Sequence, residues 1–231
     1  MYELDARQVH AKLKAADISF LYHANTVRTV CTFLRDGHLL SRGTLDERGL
    51  TQTPQYTDQD DKDLSIWYDV FLDTVDIQAS LGRANLYGPV LLGFDVDLLL
   101  EDWLTAVWIT KSNPANWKKQ EVTYAERYFS SDELGESYDP TARGAFANHI
   151  VLRNIGGVLR LKPYLKQFIL DDPKRAWPDY ERFDLLSMAW GGMTNAARAA
   201  DMLPLEGVQL RDCEALYSDM DKDKLLKAFC P

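Results

Sequence analysis

The chain predicts an α+β domain: a mixed or antiparallel sheet through its middle, flanking helices, and a helical C-terminal region. Three observations carry this. Near the N-terminus Val9, Leu13 and Ala16 recur at i, i+4 and i+7, the spacing of one helix face. Toward the other end Ala196, Ala197, Ala199 and Ala200 favour helix by propensity. Between them lie short apolar runs bounded by turn residues, the reading frame of strands.

Taken in order, residues 5–16 read as a helix and 18–22 as a strand. Residues 26–35 form a helix with Val27, Val30, Cys31 and Leu34 on one face and Gly37 just past its end. Residues 43–62 are polar and contain Pro54, so they read as a long loop of the kind that serves as a lid. Residues 66–73, with Trp67, Tyr68 and Phe71, fit a strand or a short helix. The run from Tyr87 to Val96 is the clearest strand, opened by Gly88-Pro89 and followed by a helix or turn over 97–104. Residues 106–110 and 149–153 are further strands, with a turn at 113–116 between them. Gly156-Gly157 would turn the second of these into a hairpin with 158–161. Residues 163–170, 180–200 and 219–229 are expected to be helical.

With 231 residues, 46% hydrophobic and 11% aromatic, the chain can bury a substantial core as a single domain. Within it, 1–170 is expected to be the core and 171–231 a helical extension. No apolar run approaches the roughly 20 residues of a membrane span. The N-terminus, Met1-Tyr2-Glu3-Leu4-Asp5, lacks the charged and apolar regions of a signal peptide. Three widely spaced cysteines (Cys31, Cys213, Cys230) form neither a disulfide framework nor a metal pair, so a reducing, cytoplasmic setting is expected. No metal site is expected.

The net charge of −9 is unevenly spread. Nine acidic residues fall between Asp46 and Asp76 against Arg48 and Lys62, a local −7. Between Arg143 and Arg175 seven basic residues face Asp171 and Asp172, a local +5. That second stretch is a solvated face or a phosphate-facing surface for a nucleic-acid acceptor. No Walker loop, Gly-x-Gly-x-x-Gly, Gly-x-Ser-x-Gly or His-Glu-x-x-His motif occurs, which disfavours a P-loop enzyme, a Rossmann dehydrogenase, an α/β-hydrolase and a zincin.

The segment Leu21-Tyr22-His23-Ala24-Asn25-Thr26, its following helix, and the return through Gly37-His38-Leu39-Leu40-Ser41-Arg42 place an imidazole at a strand end with a cation some twenty residues on. This layout resembles the opening element of the ADP-ribosyltransferase fold, as in DarT-type DNA ADP-ribosyltransferase toxins. The resemblance implies NAD as a substrate and an ADP-ribosyl transfer to a nucleic-acid or protein acceptor. It implies a toxin or phage-defence effector, with an antitoxin or another protein as partner. The chemistry needs a polar group on ribose, an aromatic wall for nicotinamide, and a carboxylate that stabilises an oxocarbenium-like transition state.

Tyr22 and His23 fit the ribose contact, since an imidazole hydrogen-bonds a hydroxyl in either tautomer. Tyr68 and Tyr87 are candidates for the nicotinamide wall. Arg42 and Arg143 are candidates for the diphosphate. In Ala147-Asn148-His149-Ile150-Val151, His149 stands where the resemblance leads one to expect a glutamate. Ala125-Glu126-Arg127-Tyr128-Phe129 offers Glu126 as the catalytic carboxylate instead. Two other readings stay open: a non-catalytic interaction module of the same architecture, and a nuclease using Asp132, Glu133 and Glu136.

Overall fold

Residues 1–117, 123–142, 148–177, 180–205 and 207–231 are described by a computed structural model of the chain. A short strand β1 (Leu4–Asp5) leads into helix α1 (Ala6–Ala15), where Asp5 accepts from the Gln8 amide as N-cap. Strand β2 (Phe20–Asn25) is followed by α2 (Val27–Asp36). Thr26 caps its start, and Gly37 closes it in the left-handed conformation that glycine adopts without a Cβ penalty. Then come β3 (His38–Leu40), α3 (Arg42–Glu47), α4 (Asp58–Asp63), β4 (Val70–Asp73), α5 (Ile77–Leu81) and β5 (Val90–Asp95). A 3-10 turn (Val96–Leu100) precedes β6 (Ala106–Ile109), and α6 (Tyr124–Arg127) and α7 (Ser131–Glu136) precede β7 (His149–Leu152). The remainder is β8 (Val158–Arg160), β9 (Leu165–Asp172), β10 (Ala176–Trp177), β11 (Tyr180–Asp184), α8 (Leu185–Ala199), β12 (Val208–Asp212), α9 (Glu214–Tyr217) and α10 (Lys222–Phe229).

Among the described residues eight strands form one sheet in the order β1-β6-β7-β4-β2-β5-β9-β12. Its pairs are antiparallel except β9 with β12, so the sheet is mixed and the fold is α+β, as the sequence predicts. One apolar core joins the inner strands to α1, α2, α8 and α10. Helix α8 packs on α2 and α10 packs on both. Residues 171–231 thus share the main core, and they add a strand to the sheet as well as helices.

Several expectations are corrected. Strand β2 runs three residues beyond Tyr22, so His23 lies inside it. The 43–62 segment holds α3 and α4, two short polar helices without an apolar stripe to signal them. Strand β4 starts only at Val70. Residues 158–160 pair with β3, not with β7. A Cβ on Gly157 would lie 2.3 Å from Ser41 Oγ, so the glycine there lets the chain pass α3 rather than fold back. Residues 165–172 are a strand, not a helix. Phe168 and Leu170 are fully buried and Ile169 nearly so, and a strand covered on both faces shows no alternation to read. Helix α8 begins only at Leu185, where Asp184 caps it and a short strand precedes it.

Candidate active site

An open-mouthed cavity of about 120 Å³ lies over β2, β4 and the start of β7, bounded by Tyr87 ahead of β5. Its lining includes His23, Asn25, Arg42, Asp61, Asp73, Tyr87 and His149. The volume suits a single ring rather than a whole dinucleotide, for which pockets of roughly 300–1,000 Å³ are usual.

His23 reaches it because strand pleating sends neighbouring side chains to opposite faces. Tyr22, one residue earlier, packs with Ala24, Leu91 and Ile169 and does not line the cavity. Burial raises the Tyr22 phenol above its usual range. The two residues offered together for ribose are therefore split, and only His23 remains. Its Nδ1 lies 3.0 Å from the Phe71 carbonyl. A carbonyl only accepts, so Nδ1 carries the proton and Nε2 presents a lone pair. The Asn25 amide lies 3.4 Å from Nε2, a long contact that a ligand hydroxyl can displace. Burial pushes the His23 imidazole below its usual range, so it stays neutral at physiological pH.

Tyr87 forms one wall, half-buried, with Tyr56 stacked against it at 6.3 Å between ring centres. Burial drives its phenol well above the normal tyrosine range, so it acts as a neutral aromatic surface. Tyr68 does not line the cavity: its side chain is largely exposed and lies beside Gly43.

Arg42 does line the cavity, but its guanidinium is already engaged. It grips the Asp58 carboxylate through contacts of 2.7 Å to both oxygens and donates to the Thr53 carbonyl at 3.0 Å. This pair holds the 51–58 segment over the cavity mouth, where Gln55 and Thr57 contribute to the lining. Arg143 lies outside the described residues.

With Asp58 neutralising Arg42, the carboxylates of Asp61 and Asp73 remain facing the cavity. Burial, with Asp58 beside it, pushes Asp61 up to about 6, so it is mostly ionised at pH 7. Neither carboxylate was singled out in the sequence. Both sit within the acidic 46–76 stretch, which hides two inward-facing members among solvated ones.

His149 opens β7 and is 8% exposed. The Thr110 hydroxyl accepts the His149 amide at 2.9 Å and lies 3.3 Å from Nδ1, fixing the ring. Nε2 is 2.9 Å from Asp73 Oδ1, directly across the β4–β7 pairing. Glu126 is elsewhere in function: it is exposed, absent from the lining, and closes a capping box at the start of α6. Its Oε2 accepts from the Thr123 amide and hydroxyl at 2.7 Å each, and these bonds hold its carboxyl below the usual range. Glu133 likewise caps α7 and pairs with Lys111. Among the described residues no group of three His, Cys, Asp or Glu side chains is placed to hold a metal.

The basic stretch is not one surface. Arg153 is nested over Trp108, Tyr124 and Tyr128 and pairs with Asp69. Lys174 pairs with Asp172, and Arg175 donates to the Tyr217 and Ser218 carbonyls. Lys162 and Lys166 are exposed, but β9 pairs with β5 so that Leu165 lies beside Phe94 and Leu170 beside Val90. Neither lysine lines the cavity, which lies over β2, β4 and β7. No described helix is long and apolar enough to cross a membrane.

No protein-family model matches the chain, and no curated protein sequence does. Among solved structures the fold is similar to DarT from Thermus sp. 2.9 in complex with NAD+, with a TM-score of 0.43 and 10% identity over 90% of this chain and 98% of that one. The same protein in complex with carba-NAD+ gives a TM-score of 0.41 and 12% identity over the same shares. Likeness at this level assigns no residue a role.

Proposed function

We propose that this protein is an ADP-ribosyltransferase-like enzyme that takes the nicotinamide–ribose end of NAD+ into the cavity. The observation that carries the reading is the cavity's character: an aromatic wall, a neutral histidine presenting an acceptor, and carboxylates beside Arg42, whose guanidinium is already neutralised by Asp58. Such a site favours a flat cation bearing hydroxyls, and oxidised nicotinamide riboside is one. The cavity's small volume leaves the adenosine and diphosphate outside, along the 51–58 segment. Tyr87 serves as the ring wall and His23 accepts from a ribose hydroxyl.

The acceptor is a nucleic acid or a protein. The described basic residues do not surround the cavity, so phosphate-backbone binding through them is not the route to it. A toxin or defence role, with an antitoxin or other protein partner, fits such a transferase in the cytoplasm.

Nicotinamide release from NAD+, followed by chromatography with water or a candidate acceptor present, tests the reading. The expected result is release above the buffer rate, reduced tenfold or more in His23→Ala. Release by the wild type at only the buffer rate would remove the proposal.

A further inference from the structure

The cavity contains a carboxylate that the sequence pattern did not point to, and its surroundings are unusual. Asp73 ends β4 and is the direct cross-strand partner of His149 at the start of β7. Its Oδ1 is buried and has no hydrogen-bond partner, even though His149 Nε2 is 2.9 Å away. The imidazole is near enough to attract the charge but is not aimed along a hydrogen bond. A buried acceptor left unpaired is costly, so an oxygen in this state is one that a ligand donor would satisfy. Asp73 lines the same cavity as His23 and Tyr87, the two groups assigned to ribose and ring.

We propose that Asp73 is the catalytic carboxylate, delivered from β4, and that His149 is a positioning residue holding it. This rests on the NAD+ reading above. Asp61, the other lining carboxylate, is a poorer candidate because Thr57 already donates to it and Asp58 lies close by. Glu126 is excluded by its capping role. In the step, the bond between ribose C1′ and the nicotinamide nitrogen breaks. Its electron pair goes to that nitrogen and quenches the ring's positive charge. The sugar then carries the charge across C1′ and its ring oxygen, and Asp73 offsets it while accepting from a ribose hydroxyl. The acceptor's nucleophilic atom bonds to C1′ and its proton passes to solvent. With water as acceptor the products are ADP-ribose, nicotinamide and one proton.

A carboxylate that acts as charge develops should affect turnover more than ground-state binding. Asp73→Asn preserves shape and removes charge. Nicotinamide release should fall on the order of 10²–10³-fold, while NAD+ affinity by calorimetry stays within about threefold. Because His149 stands directly across the strand pair, Asp73→Asn/His149→Glu returns a carboxylate to nearly the same point and should recover at least about tenfold of the loss. Glu126→Gln should match the wild type. A wild-type rate in Asp73→Asn would overturn the proposal, as would equal losses in affinity and rate, or a double variant no faster than Asp73→Asn alone. Those results leave NAD+ binding by the wild type intact. A wild type that neither binds nor cleaves NAD+ overturns the parent reading and this one together.

Discussion

Arg211→Met is expected to lower the unfolding free energy by about 3–5 kcal/mol, the usual cost of stranding one member of a buried ion pair. Asp171 is fully buried, and Arg211 Nε donates to its Oδ1 at 2.9 Å while the Tyr217 hydroxyl donates to Oδ2 at 2.7 Å. Arg211 also reaches Asp76 at 2.6 Å. The network ties β12 and α9 to β9 and to the start of α5. Methionine keeps the volume but leaves the Asp171 charge without its cation. In a chain of 231 residues such a loss lowers Tm by roughly 6–20 °C. Asp171→Leu/Arg211→Met removes both charges and should recover much of the deficit, which thermal melts of the three proteins would show. A Tm within 2 °C of wild type for Arg211→Met would mean that the network contributes little.

Gly88→Ala should be nearly as damaging and should also disturb the cavity. Gly88 has φ +146°, and a Cβ there would sit 2.2 Å from the Asn25 carbonyl carbon and oxygen. The obstruction is backbone, so no side chain can rotate away. The close approach brings the entry of β5 against the end of β2, beside His23 and Tyr87. A cost of about 3 kcal/mol or more is expected from strain and displaced backbone, read as a drop of roughly 6–12 °C in Tm. An unchanged Tm would show that this approach is relaxed in solution.

Much of the fold was legible in local signals. Helix α2 has its cap at Thr26 and its stop at Gly37, and β5 has its Gly-Pro opening and apolar run. What escaped was set by distant partners. Strand β9 lies between β5 and β12, and its two-sided burial gives the same apolar run as a buried helix. Strand β8 pairs with β3 more than a hundred residues away, a choice that no local turn reports.

The site divides along the same line. His23, Arg42, Tyr87 and His149, which the sequence singled out, all line the cavity, and the patterns around them are local. Asp73 was not, because its meaning depends on the register that sets it opposite His149. Glu126 lies outside the cavity lining, and a competing local signal was present in the sequence. Thr123 followed three residues later by Glu126 is a capping-box pattern, and that is the role the structure gives it.

The most direct measurement of the central claim is the affinity for NAD+ against NADH, by calorimetry at pH 8 and low salt. The two share adenosine, diphosphate and both riboses, and differ in the positive charge and aromaticity of the nicotinamide ring. A cavity built from Tyr87 and the carboxylates of Asp61 and Asp73 should favour the cation by about tenfold or more, or about 1.4 kcal/mol. Tyr87→Ala should erase most of that preference, whereas Asp73→Asn should change it by no more than about threefold. Equal affinities for NAD+ and NADH, or a preference for NADH, would contradict the assignment of this cavity to the nicotinamide end.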